Sequence, residues 1–260
     1  MNNNKREGAA RRRQTWGLLA AGTMLLAACA LPQFNTLNIT PEIRAAVAAP
    51  DRSEADRKTD ERRKPEMLLA FAQVKPGMRV LDLGAGAGYS TELLARAVGA
   101  RGTVYGQNSQ AAIDKYIKGR FDERIARFPL RNVVKVVRPD QDPVPANVAP
   151  FDLVTIFFVY HDTPADNIDR PLLLKRIYDS LKPGGMVVVA DHAAKAGDGV
   201  KVSGTLHRIE ESVVRSDFEQ AGFRYAGDAD FLRSKEDTRE APVFRLPVPV
   251  DEFVLRFVKP

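Results

Sequence analysis

The sequence predicts a doubly wound α/β fold: a mostly parallel sheet of seven strands with helices on both faces. Three observations lead there. Short apolar runs alternate with segments of helical spacing along most of the chain. Val80 to Ala95, VLDLGAGAGYSTELLA, reads as a buried strand, a glycine turn and the start of a helix. Phe151 to Val159, FDLVTIFFV, is nearly all apolar, as a strand covered on both faces must be.

The chain has 260 residues, 44% hydrophobic and 28% charged, enough for one well-buried domain with extensions. Residues 1–28 read as a signal peptide. A basic stretch (Lys5, Arg6, Arg11, Arg12, Arg13) precedes the short apolar run LLAAGTMLLAA, Leu18 to Ala28. Leu26-Ala27-Ala28-Cys29 resembles the lipobox of bacterial lipoproteins, with Cys29 as the lipidation site. Cys29 is the sole cysteine, so no disulfide forms within the chain. Arg12-Arg13 is a weaker candidate for twin-arginine export. The expectation is an exported, periplasmic protein anchored to a bacterial membrane by an N-terminal lipid. The formal net charge is +6, and this prefix carries +4 of it, five basic residues against Glu7, leaving +2. With no basic-aromatic stripe or recognition motif, nucleic acid is not an expected partner.

Residues 29–64 read as a tether and charged arm, with DRSEADRKTDERRK (Asp51 to Lys64) as a solvated helix or loop. The domain proper is expected over 65–260. Pro65 suits the first position of a helix, whose apolar face is Met67, Leu68, Phe71 and Val74 and whose stop is Lys75-Pro76-Gly77. Strands are expected at 79–83, 103–106, 133–137, 151–159 and 186–190, with two more around 223–225 and 253–258. Helices are expected at 91–98, 110–128, 171–181 and 206–221. Lys182-Pro183-Gly184-Gly185 reads as a break before the fifth strand.

The glycine turn defines the expected site. Gly84, Gly86 and Gly88 let the backbone turn sharply and approach a ligand, with the N–H groups of a helix N-terminus facing it. The spacing is G-x-G-x-G rather than the G-x-G-x-x-G of dinucleotide enzymes, which disfavours a dehydrogenase. DLGAGAG (Asp82 to Gly88), the second strand ending at Asn108, FDLV (Phe151 to Val154) and LKPGG (Leu181 to Gly185) together resemble the class I S-adenosylmethionine-dependent methyltransferases. RKPEMLLAF, YHDT and DH look like a bacterial group of predicted, often exported members. The resemblance covers about 65–260 and implies a Rossmann-like methyltransferase fold with S-adenosylmethionine as cofactor. Asp82, Gly84, Gly86 and Gly88 match the motif that holds the cofactor's methionine portion. Asn108 stands where the family usually has a ribose-binding acid, and Asp140 where an acid often lies near the adenine amine. An amide accepts through one oxygen only, so Asn108 is the weaker anchor.

Of three histidines, two fall at expected strand ends, in Tyr160-His161-Asp162 and Asp191-His192. Methyl transfer needs positioning, and a base where the acceptor is protonated. His161 is the expected base, with Asp162 or Asp191 orienting it and His192 beside it. His161, Asp162, Asp191, His192 and His207 are acceptable metal ligands, but no tight ligand spacing is present, so no metal is expected. The expected function is methyl transfer to a small-molecule or envelope acceptor. The competing reading is a binding module of the same fold that has lost catalysis, motivated by Asn108 and by export away from the cytoplasmic source of the cofactor. The sequence leaves the oligomeric state open.

Overall fold

The computed structural model describes residues 37–260 except 128–130 and 149; the expected signal peptide and Cys29 lie outside the described residues. Three helices precede the sheet: α1 (Pro41–Ala48), α2 (Glu54–Arg63) and α3 (Pro65–Phe71). Thr40 and Ser53 cap the first two by accepting from the N–H groups of Ile43 and Asp56. Then follow β1 (Arg79–Leu83), α4 (Tyr89–Val98), β2 (Thr103–Asn108), the single turn α5 (Gln110–Ala112), α6 (Arg120–Arg127), β3 (Val133–Val137) and β4 (Phe151–Phe157). The second half contains α7 (Asp162–Ala165), α8 (Arg170–Ser180), β5 (Leu181–His192), α9 (Ser203–Leu206), α10 (Glu211–Gln220), β6 (Arg224–Ala229) and β7 (Glu252–Val258).

The strand order is β3-β2-β1-β4-β5-β7-β6. The first five strands pair in parallel, and β7 runs antiparallel between β5 and β6. Successive strand residues face opposite sides, so one sheet feeds two cores. Val80, Val104, Leu153, Val188 and Val254 pack with Ile43, Leu68, Phe71, Leu94 and Val98 of α1, α3 and α4. Leu81, Val154, Ile156, Val187, Val189 and Leu255 pack with Leu173, Ile177, Val214 and Phe218 of α8 and α10. The expected seven-stranded, mostly parallel doubly wound sheet is what the chain forms. The chain order reverses between β1 and β4, and ligands of open α/β sheets bind beyond the carboxyl ends of the strands at such a point.

Several local expectations are corrected. The boundary expected at 64/65 is not a structural one: the described residues on both sides of it belong to one compact unit, and Ile43 and Ala46 are buried in the first core. The charged run 51–64 is not solvated throughout. Asp56, Asp60 and Arg63 recur at helical spacing and turn one polar face of α2 inward. Asp56 takes both Arg124 nitrogens at 2.7 and 2.9 Å, and Asp60 takes Arg52 at 2.6 and 2.7 Å and the Tyr89 hydroxyl at 2.6 Å. The expected helix 110–128 is broken by one π turn (Ile113–Ile117) and by Lys118 and Gly119, both at positive φ. The helix expected at 206–221 is likewise split, because His207 is left-handed at φ 53°. β4 stops at Phe157 rather than Val159, since Phe158 sits at φ 60°. The break expected at 182–185 is a bulge inside β5: Phe151 pairs with Leu181, yet Leu153 pairs with Met186.

Candidate active site

The glycine loop between β1 and α4 is held from below and from the side. Asp82 lies buried beneath it and accepts from three hydroxyls, Ser90 at 2.8 Å, Thr91 at 2.6 Å and Thr155 at 2.8 Å. These bonds tie the first turn of α4 and the middle of β4 to β1. Burial pushes the Asp82 carboxyl up despite the three donors. Asp82 therefore shapes the loop from beneath it. Gly84 turns at φ 62°, and a side chain there would meet Val159 at 2.8 Å. Gly88 begins α4 at φ 84°, hard against Phe121 and Arg124. Arg124 also donates to the Ala87 carbonyl at 2.8 Å.

The end of β2 stitches the loop laterally. Gln107 accepts the Gly84 N–H at 3.1 Å and donates to the Arg138 carbonyl at 2.9 Å. Asn108 accepts the Gly86 N–H at 2.8 Å and donates to the Gly86 carbonyl at 3.1 Å. An aspartate could make the first of these bonds but not the second, which is the physical reason for an amide here. One acceptor lone pair of Asn108 remains, too few for the two-point ribose grip of a carboxylate.

A cavity of about 190 Å³ opens over this loop. Gly84, Gly86, Asn108 and Asp140 line it, whereas Asp82 and Gly88 do not. Its far wall carries Val159, Tyr160, Asp162 and Asp166. Burial and the neighbouring Asp162 and Asp140 charges raise the Asp166 carboxyl, so three acids crowd one mouth. That field favours a cationic ligand.

Behind this wall stands the histidine cluster. Asp191, fully buried at the end of β5, accepts the His161 backbone N–H at 2.8 Å, His161 Nδ1 at 2.6 Å and the His192 N–H at 2.8 Å. His161 Nε2 lies 3.2 Å from Asp162 Oδ1. Burial alone would lower the imidazole's proton affinity, but the Asp191 charge and the bonds to Asp162 and Asp191 push it up to about 10. His161 is clamped between two carboxylates, which favour its protonated form, and is set behind the cavity. Two carboxylates disfavour the free imidazole that the expected role of general base requires. Of the expected catalytic residues only Asp162 reaches the cavity; His161, Asp191 and His192 lie behind it. His192 stacks on Phe158, and its Nδ1 lies 3.1 Å from Glu252 without a hydrogen bond between them.

Sequence reasoning missed Arg63. Its guanidinium lies 4.5 Å from the Phe158 ring centre and 5.3 Å from that of Tyr89, with Nε buried and unpartnered among the described residues. The signal was the 56/60/63 spacing, an inward face hidden inside a run that reads as solvated.

Two outcomes follow. Asn108→Asp loses one bond and sets a carboxylate against a carbonyl, so it should cost about 1–3 kcal/mol in urea denaturation; an unchanged midpoint would mean the clamp is idle. The His161 value is raised on folding, so its stabilisation is complete below about pH 6.5 and is lost as pH rises through about 10. Thermal denaturation across that window should decline more steeply for the natural protein than for His161→Gln; parallel profiles would refute the clamp.

A family model described as a methyltransferase domain matches residues 55–229, starting inside the charged arm. The 2-phytyl-1,4-naphtoquinone methyltransferase of Synechococcus elongatus is 32% identical over 126 residues, 48% of this chain and 50% of that one. The ubiquinone/menaquinone biosynthesis C-methyltransferase UbiE of Idiomarina loihiensis is 27% identical over 157 residues, 60% of this chain and 57% of that one. The chain thus spans about half the length of these curated relatives. The crystal structure of a SAM dependent methyltransferase from Aquifex aeolicus shares the fold, with a TM-score of 0.58 at 20% identity over 79% of this chain and 97% of that one. A methyltransferase-domain match over most of the chain, on this strand order and this glycine loop, places the protein in the methyltransferase-domain family of the class I superfamily, whose cofactor is S-adenosylmethionine.

Proposed function

We propose that this protein transfers the methyl group of S-adenosylmethionine to a small-molecule or envelope acceptor at the Asp162 side of the cavity. The observation that carries the reading is the cavity itself, a glycine cradle on one wall and Asp140, Asp162 and Asp166 around its mouth. The cofactor is a sulfonium with a nucleoside at one end and an amino acid at the other. The acids match its positive charges, Gly84 and Gly86 leave room for close approach, and Asn108 and Asp140 stand by the nucleoside. Arg63 lies outside this cavity, in a small neighbouring pocket with Tyr89, Ser90 and Phe158 beside the glycine loop; its buried, unpartnered Nε there suits the carboxylate of the amino-acid end. In this reading the cofactor supplies an electrophilic methyl group. The chain supplies alignment, and His161 stiffens the wall rather than accepting a proton. The binding-module reading rests on Asn108, whose amide is spent on Gly86.

We also propose export with lipid attachment at Cys29, from the basic stretch, apolar run and Leu26-Ala27-Ala28-Cys29 motif. Among the described residues no helix is long and apolar enough to cross a membrane.

Calorimetry should show S-adenosylmethionine and S-adenosylhomocysteine binding with at least about tenfold loss in Arg63→Ala. No heat at millimolar ligand would reject the enzyme, and binding without methyl transfer to any envelope fraction would favour the binding module. Radiolabelled palmitate should enter the natural chain and not Cys29→Ser; labelling of both, or of neither, would refute the anchor.

A further inference from the structure

All three histidines of the chain meet in one place. The His161 ring centre is 5.2 Å from that of His192 and 5.7 Å from that of His207, although 46 residues of sequence separate His161 from His207. We propose that His161 Nε2, Asp162 and His207 Nδ1 form a binding site for a borderline first-row divalent ion of the zinc class, behind the cavity wall that Asp162 lines.

Three independent features of the geometry support it. First, the donor atoms converge: Asp162 Oδ1 lies 3.2 Å from His161 Nε2 and 3.4 Å from His207 Nδ1. Those two separations match the about 3.2–3.5 Å between ligand atoms of a four-coordinate zinc, and all three donor atoms lie within 4.8 Å of one another. Second, Asp191 takes the other nitrogen of His161 at 2.6 Å. That bond fixes Nδ1 as the protonated nitrogen and aims Nε2 outward, the arrangement that orients a metal-bound imidazole. Third, His207 occupies a left-handed backbone conformation at φ 53°, uncommon for a residue with a side chain. That conformation ends α9 and sets the ring against Asp162.

The neighbouring combination of His161, Asp191 and His192 is the poorer choice. Asp191 already accepts three N–H bonds and is sealed from solvent, whereas the Asp162 and His207 side chains are 39% and 37% exposed. An ion can therefore enter from solvent and keep water on its open face. Two imidazole nitrogens with one carboxylate suit zinc-class ions and not magnesium or calcium, which take oxygen ligands. On binding, the ion takes the Nε2 lone pair and the proton now shared with Asp162 leaves to solvent; the other proton stays on Nδ1, donated to the Asp191 carboxylate.

This site stands apart from the methyl-transfer reading, because its test needs no cofactor. The untagged full chain is dialysed against Zn²⁺ and the metal quantified by elemental analysis, with Co²⁺ substituted for visible spectroscopy. The expected result is one ion per chain, with affinity at least about tenfold weaker in Asp162→Asn and in His207→Gln. Both changed side chains are partly exposed, and circular dichroism checks that each variant is folded; His207→Asn serves as a second variant at that position. The Co²⁺ protein should show visible ligand-field bands that the variants lose. No stoichiometric uptake, or uptake within threefold of the natural chain in either folded variant, overturns the proposal.

Discussion

The carboxylate of Asp191 organises this end of the molecule. It is sealed at the tip of β5 and has no solvent to lean on. Burial alone would push its proton affinity up, yet the His161 charge and the N–H bonds hold it below the ordinary range. A buried carboxylate is tolerable only when its lone pairs are used and a cation faces it. That requirement brings the segment after β4 against the tip of β5 and fixes where His161 and Asp162 stand. It also means that His161 cannot be read as a free imidazole. It is the counter-charge that permits Asp191 to be buried, and Asp162 is the member of the group that meets the cavity.

The glycine loop obeys a similar rule on the other wall. Its exposed backbone is useful to a ligand only if it is rigid, and its rigidity comes from side chains outside it. Asp82 anchors it through three hydroxyls, Gln107 and Asn108 hold Gly84 and Gly86, and Arg124 holds the Ala87 carbonyl. Arg124 in turn is neutralised by Asp56 and by Glu92 at 2.6 Å, so α2 and α6 are joined at the loop. The segment that looks like a dispensable charged arm is thereby part of the support for the pocket. Pre-arranged support of this kind spares a ligand the cost of ordering the loop.

The sheet was legible because its strands are short apolar runs and its turns are glycine and proline, signals that act over a few residues. The Gly84-Gly86-Gly88 loop and the clustering of Asn108, Asp140 and Asp162 at strand ends followed from the same local pattern. What stayed hidden depends on pairing across the chain. Nothing near Asn108 says that its amide will close on Gly86. Nothing near His161 says that Asp191 will reach it from 30 residues away and keep it charged. Left-handed His207 interrupts a segment that reads as one helix, and its meeting with Asp162 exists only in three dimensions. Arg63 was the exception, legible in principle from the spacing of Asp56, Asp60 and Arg63 had charge been read with the same periodicity as apolarity.

The central claim is that Asp191 holds His161 as an oriented cation rather than leaving it as a base. Nitrogen-15 NMR of the imidazole rings in the metal-free protein tests this directly. At pH 8 both ring nitrogens of His161 should carry protons, and that signal should disappear in His161→Gln. A neutral His161 at pH 8, with one unprotonated nitrogen, would contradict the account.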